Sequence, residues 1–242
     1  MTYQILILTL TSTFLVFNSQ VKEQPPSQIK KAEMSPPVHT GEWIDIFDGK
    51  SFDGWHGYNK DEVGPAWQIE DGAMVLDKSK GKAGDIISDE AYQNFELTLE
   101  WKISECGNSG IFFNVVESPK YHSPWLTGPE MQILDNSCHP DAKIETHRAG
   151  DLYDMIQTSV VNVKPAGEWN KINIRSLDNE VTFWQNDEQV VQFTMHDESW
   201  DKMVSESKFK SMPDFGKARG GKIGLQDHGD KVWFRNIRIK KL

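Results

Sequence analysis

The sequence predicts an all-β sandwich of two antiparallel sheets with one short inserted helix. Three observations carry this expectation. Apolar and polar residues alternate along several stretches, the period of a strand with one wet face. Gly-, Asn- and Asp-rich turns separate those stretches. A single segment shows helical spacing, and the long non-hairpin connections favour two packed sheets over a simple meander.

Residues 1–20 carry no charge and hold the apolar runs Ile5-Leu6-Ile7-Leu8 and Phe14-Leu15-Val16-Phe17. They read as a secretory signal peptide with cleavage near Asn18-Ser19-Gln20, which implies export to the periplasm or the outside. No Lys or Arg precedes the apolar run, so a short membrane anchor is the competing reading. No later segment is long and apolar enough to span a bilayer, so no integral span is expected in the mature chain. Residues 21–40, with Pro25, Pro26, Pro36 and Pro37 among polar residues, read as a flexible linker. The folded domain is expected over residues 41–242, beginning where Trp43, Ile44, Ile46 and Phe47 appear.

Within it, Phe95, Leu97, Leu99, Trp101 and Ile103 alternate with polar residues as one long strand. Ile111, Phe113 and Val115 alternate with Phe112 and Asn114, and Ile172 and Ile174 repeat the pattern. Val181–Phe183 and Val190–Phe193 flank Asn186-Asp187, a hairpin turn dipeptide. Trp200, Met203 and Val204 stand at helical spacing after Asp197, a suitable N-cap, so Glu198–Ser207 is the expected helix. Gly221–Lys240 reads as a closing hairpin. Its second strand buries Val232 and Phe234, then Ile237 and Ile239, and this change of parity requires a bulge near Arg235-Asn236.

Nine Trp and twelve Phe supply a substantial core despite a hydrophobic content of 38%. The net charge of −10, with Lys and Arg scattered, argues against nucleic acid as a partner. Cys106 and Cys138 could pair in an oxidising compartment; two unpaired small residues is the slightly favoured reading. Neither has zinc-ligand spacing.

Several strands put Glu, Gln or Asn with aromatic residues on the face away from the core, as a concave binding sheet would. On Gly128–Asn136, Met131 and Ile133 face the core, so Glu130 and Gln132 face outward. A bulge near Leu134 would return Asp135 to the Glu130 face; otherwise Asp135 and Asn136 are turn residues at a strand end. The spacing Glu130-x-Gln132-x-x-Asp135 is similar to the carboxylate strand of sandwich-fold glucanases, but Gln132 replaces the middle carboxylate. Asn108, between Gly107 and Gly110, could hydrogen-bond sugar hydroxyls from a tight turn. His147–Asp154 packs five ionisable side chains into eight positions; a solvated loop is the plain reading, and an acid/base role for His147 the sharper one. His228 is a second acid/base candidate. Lys208, just after the helix, could aim at the same site, and Trp125 could stack on a sugar ring.

Together these blocks resemble a known family. Ile46-Phe47-Asp48-Gly49-Lys50 with Gly54-Trp55, Trp67-x-Ile-x-Asp71-Gly72, Gly107-Asn-Ser-Gly-Ile-Phe-Phe113, Glu130-x-Gln-Ile-Leu-Asp135, Gly150-x-Leu-Tyr153, Gly167-Glu-Trp-Asn170 and Gly224-Leu-Gln-Asp-His-Gly-x-x-Val-x-Phe-Arg-Asn-Ile237 are similar, in order, to the DUF1080 or 3-keto-disaccharide hydrolase domain family. The resemblance runs from about Gly41 to Leu242. It implies a concanavalin A-like jelly roll, usually exported, that cleaves di- or oligosaccharides and other glycosides already oxidised to a ketone at C3. A C3 ketone acidifies the C2 proton, so elimination at C1 followed by hydration gives net hydrolysis. Such a site needs a base, an enolate stabiliser and an acid. The expected roles are Glu130 or His147 as base and His228 as acid. Lys208, or a divalent cation held by Glu130 and Asp135, stabilises the enolate, and no other cofactor is expected. Asn108, Trp125, Gln132, Asp135, Tyr153 and Gln226 are the expected substrate-binding residues. The competing readings are a lectin-like binding module and a conventional endoglucanase.

Overall fold

The alternation over Phe95–Ile103 becomes a nine-residue strand in which every second side chain, from Phe95 to Ile103, is buried and the intervening ones are half-buried. Around it the computed structural model describes residues 41–242; the expected leader over 1–20 and linker over 21–40 lie outside the described residues. In chain order the strands are β1 (Ile44–Asp45), β2 (Trp55–Gly57), β3 (Trp67–Glu70), β4 (Ala73–Leu76), β5 (Ile86–Tyr92), β6 (Phe95–Ile103) and β7 (Asn108–Val115). They continue with β8 (Glu130–Leu134), β9 (Asn170–Leu177), β10 (Glu180–Gln185), β11 (Glu188–Thr194), β12 (Gly221–Leu225) and β13 (Val232–Lys241). One sheet has eight strands in the order β11-β10-β9-β6-β13-β4-β3, with β1 also paired to β13. The other has five, β2-β5-β12-β7-β8. Every pairing is antiparallel, and the two sheets form a jelly-roll sandwich.

The core lies between the inner faces: Leu97, Trp101, Ile174, Phe183 and Phe234 from the larger sheet meet Ile86, Ile111, Phe113, Ile133 and Ile223 from the smaller. Each such Leu, Ile or Phe contributes about 1.5–3 kcal/mol by leaving water. Phe113 and Phe183 join the sheets edge to face, centroids 5.9 Å apart. On β7 both faces are covered. Asn114 adopts φ +52°, the alternation breaks there, and Val115 joins Phe112 on the outer face instead of the core.

The bulge required by the parity of the last strand is present. The register of β13 against β6 shifts between Arg235 and Arg238, with Asn236 at φ +53°. The expected closing hairpin is not. β12 pairs with β5 and β7, whereas β13 crosses to the other sheet and pairs with β6, β4 and β1. Alternation records which side of a strand is buried but not which neighbour it pairs with, so two strands of one apparent hairpin can serve opposite sheets. Asn186-Asp187 does close a hairpin, both residues in the left-handed region that a tight β-turn needs (φ +48° and +69°).

The helix α1 spans Glu198–Glu206, capped by the Asp197 carboxylate accepting from the Trp200 N–H at 2.8 Å. Trp200 stacks between Phe193 and Phe215, which fixes the helix and the short 3-10 turn Lys208–Ser211 that follows. Cys106 and Cys138 form a disulfide, their Cα atoms 5.0 Å apart, contrary to the favoured unpaired reading. Spacing in sequence did not reveal it because the contact depends on the pairing of β7 with β8. No helix among the described residues is long and apolar enough to cross a membrane.

Candidate active site

Met131 and Ile133 of β8 point into the core, which turns Glu130 and Gln132 to the outer face of the smaller sheet. Gly110 of β7 faces Gln132 in register, and a Cβ there would overlap the Glu130 Oε1 atom. The second glycine of the Gly107-Asn-Ser-Gly110 motif therefore makes room for a buried carboxylate. Gln226, at the end of β12, is held by its N–H donating to the Gly110 carbonyl at 3.0 Å, and its side-chain amide faces Glu130.

The His147–Asp154 segment is not a solvated loop. It docks along the open edge of β8 like an extra strand: Gly150 N–H donates to Gln132 O (2.9 Å), Gln132 N–H to Asp151 O (3.0 Å), and Tyr153 N–H to Glu130 O (3.0 Å). That covers a sheet edge that would otherwise be open. Asp151 organises the segment from within, accepting from the Thr158 and Arg148 N–H groups at 2.6 Å each. Its burial raises its pKa to about 7.

Docking brings the remaining groups together. His147 is buried; its Nε2 lies 2.9 Å from Asp154 Oδ1, and its Nδ1 faces Asp141 Oδ2 at 3.7 Å without a hydrogen bond. The imidazole stacks on Tyr153 at 4.2 Å. Asp154 Oδ2 accepts from the Lys208 N–H at 2.6 Å, so one carboxylate holds both the histidine and the turn bearing the lysine. Lys208 is exposed and places its ammonium 3.8 Å from the centre of the Tyr153 ring.

The electrostatics follow from burial. Desolvation raises the Glu130 pKa to about 8; the Lys208 charge opposes the rise, Asp85 and Asp141 add to it, and Gln226 favours the charged form. Partial desolvation lowers Lys208, opposed by Glu130, Asp154 and Asp141. Tyr153 is raised, by burial first and then by Asp141, Glu130 and Asp154. Asp85, whose carboxylate accepts from the Asp227 N–H at 2.9 Å, is raised to about 6 by burial.

Four buried polar atoms here have no protein partner: Asn108 Oδ1, Gln132 Nε2, His147 Nδ1 and Gln226 Oε1. Buried polar atoms are nearly always paired, so these four are available to a polar ligand or to water. Beyond Phe112, which pairs with Glu130, the same face becomes apolar, with Tyr58, Ile87 and Val115 packed against Tyr121 and Trp125.

Two expected residues lie elsewhere. Asp135 follows the last residue of β8, and its carboxylate is engaged there, accepting from Cys106 N–H (2.8 Å), Ser137 N–H (3.0 Å) and Ser137 O–H (2.6 Å). It braces the disulfide-linked turns as a strand-end residue. The Asp135 oxygens accept from Cys106 and Ser137, whereas the cation that acts on Glu130 is the Lys208 ammonium. His228 is exposed on its turn, its ring 6.4 Å from that of His139, at the rim beside the Asp141 turn. Asp85, Asp141 and Asp154 were not anticipated. Asp154 closes the ionisable run His147–Asp154, whereas Asp85 and Asp141 belong to loops with no distinguishing pattern.

A family model described as a 3-keto-alpha-glucoside-1,2-lyase-like domain matches residues 42–240. A 3-keto-disaccharide hydrolase of Bacteroides thetaiotaomicron is 42% identical over 88% of this chain and 84% of its own length. A crystal structure of a provisionally assigned glycosyl hydrolase from Parabacteroides distasonis is similar with a TM-score of 0.77 and 36% identity, covering 84% of this chain and 94% of that one. A second from the same organism has a TM-score of 0.64 at 25% identity, covering 84% and 100%. With its fold, its ordered motifs and these matches, the chain belongs to the 3-keto-alpha-glucoside-1,2-lyase-like domain family of glycoside-cleaving enzymes.

Proposed function

We propose that this enzyme cleaves glycosides carrying a ketone at C3, by elimination across C1–C2 and hydration of the product, and that it works outside the cytoplasm. The observation that carries the reading is Glu130: a buried carboxyl group with a pKa near 8, beside an ammonium, on a face where four buried polar atoms lack partners. A base poised near neutral pH suits removal of a proton acidified by a ketone.

Glu130 takes the C2 proton, and the C–H electrons form the C2=C3 enolate. Lys208 stabilises the negative charge gathering on the C3 oxygen. The enolate then collapses: the C3 carbonyl re-forms, C1=C2 forms, and the C1–O bond breaks. His147, oriented by Asp154, gives the departing oxygen its proton; His228 at the rim is the alternative donor. Water then adds its oxygen to C1 and a proton to C2, so the sum is hydrolysis. Asn108, Gln132 and Gln226 hold the sugar, with Tyr153 as one wall and Trp125 in the aromatic extension. The relative's name, 3-keto-disaccharide hydrolase, supports the substrate class. The disulfide and the leader-like residues 1–20 support export.

Incubation with a 3-keto-glucoside deuterated at C2 tests the reading. Turnover should be slowed by the deuterium and lost in Glu130→Gln. Binding with no turnover would leave a lectin-like module, and full turnover in both Glu130→Gln and His147→Ala would overturn the residue assignment.

A further inference from the structure

The outer face of the eight-stranded sheet belongs to the opposite side of the sandwich from Glu130. Across β13, β6, β9, β10 and β11, the cross-strand partners Arg238, Thr98, Asn173, Trp184 and Gln189 form one continuous row. Two depressions follow this row and share Lys171. The smaller, of about 270 Å³, is lined by Trp184, Asn173, Glu96 and Asp187; the larger, of about 880 Å³, by Glu100, Asn236, Arg238 and Asp45.

Each end of the row coincides with a break in strand register. β13 bulges between Arg235 and Arg238, and the pairing of β10 with β11 shifts between Phe183 and Trp184. Bulges bend a strand and re-aim its side chains, so both ends of the face curve where the depressions lie. Most charges along the groove are paired: Lys240 with Glu96 (3.1 Å), Arg235 with Glu100 (2.6 Å), Arg238 with Asp45 (3.1 Å) and Lys171 with Asp187 (2.9 Å), while Asp48 and Lys50 offset each other in sign. Such a surface presents many hydrogen-bonding groups without an excess of either sign. Asn173, which lines the smaller depression, donates its amide to Glu96 at 2.9 Å, while its buried Oδ1 has no partner. Trp184 is half-buried beside it, an aromatic surface of the kind a pyranose ring packs against.

We infer that this groove is a second, non-catalytic carbohydrate-binding surface for a neutral oligosaccharide lying across the strands, with Trp184 and Asn173 at one end and Arg238 at the other. Self-neutralised charge excludes an anionic ligand as the best fit, and a sheet face offers no free backbone groups to a peptide strand. Five strands span about 19 Å, close to the length of about four linked pyranose rings. A chain of that size would be kept on the enzyme while glycosidic ends are processed on the other sheet.

The test is calorimetric titration of the full chain with unoxidised maltohexaose, cellohexaose and laminarihexaose, and with the disaccharide of each series. At least one hexaose should bind about tenfold or more tightly than its disaccharide. Trp184→Ala should weaken that binding by about tenfold or more, leaving turnover of a small 3-keto-glucoside unchanged. Asn173→Ala, which keeps the aromatic surface, should weaken it less. The inference is overturned if no hexaose binds, or if binding survives Trp184→Ala and is lost in Glu130→Gln, which would place the sugar on the catalytic face. Binding that collapses in high salt would likewise overturn it, because it would indicate an ionic contact. Because turnover is measured separately, failure here leaves the proposed reaction standing, and failure of that reaction leaves this surface to be judged by binding alone.

Discussion

Gly110 and Glu130 occupy mutually dependent space: the absence of a side chain on the glycine is what admits the carboxylate to its buried position. A glycine usually noted for backbone freedom here acts through volume. Its substitution is therefore the most direct way to move the proposed base without changing its chemistry. Gly110→Ala should lower kcat/KM for a 3-keto-glucoside by about 100-fold, the scale of loss expected when a reacting group is misplaced by about 1 Å. Overpacking should also cost about 1–3 kcal/mol of stability. Steady-state kinetics beside thermal melts separate the two effects; an unchanged kcat/KM would show that Glu130 is not positioned through this contact.

The raised pKa of Glu130 makes both activity and stability depend on pH. A base must be ionised, so kcat/KM should climb as pH rises toward about 8. Stability runs the other way. A carboxyl group whose folded pKa lies above its unfolded value binds its proton more tightly when folded. Its contribution is fully present below the ordinary carboxylate range and is lost as pH rises through about 8. Glu130→Gln should therefore raise Tm at pH 9 more than at pH 5, while abolishing turnover. Equal shifts at both pH values would contradict the buried-carboxylate description.

Asp154 joins two catalytic candidates: one oxygen meets the His147 ring and the other the Lys208 N–H. It is a positioning residue. Asp154→Ala should lower kcat by about 100-fold with a smaller change in KM. Asp154→Asn, which keeps the shape and one acceptor, should recover part of the loss. A change confined to KM would argue that the pair only shapes the binding surface.

The disulfide closes a loop between residues 32 apart in sequence. In the chain-entropy description that contributes on the order of 3–4 kcal/mol. Replacing both cysteines by serine should lower Tm by about 5–15 °C. The loss should be smaller if the Asp135 carboxylate continues to accept from the Cys106 and Ser137 backbone N–H groups, so Asp135→Ala in the cysteine-free background should lower Tm further. A reducing agent should reproduce the first shift in the native chain.

Much of the fold was legible from local pattern. The alternation over Phe95–Ile103, the Asp197-capped helix and the Asn186-Asp187 hairpin appear where they were expected. Even the bulge at Arg235-Asn236 followed from one change of parity. The site was legible only in part. Glu130, Gln132 and Gln226 were readable because a strand alternates. Asp85, Asp141 and Asp154 were not, because they act from loops brought together by strands far apart in sequence. Alternation left two placements open for Asp135, and the end of β8 at Leu134 shows it as a strand-end residue.

The sequence alone determined which side of each strand is apolar, where the helix starts, that one strand must carry an extra residue, and, through its ordered motifs, the family. These properties depend on neighbours a few residues apart, whose geometry the backbone period dictates. Only the tertiary structure decided that β12 and β13 serve different sheets, that Cys106 meets Cys138, and that the His147–Asp154 segment lines the edge of β8. Those outcomes depend on which strand edges pair, a choice made by packing of the whole core. That choice also sets Lys208 beside Glu130, a proximity between distant residues that no local pattern encodes.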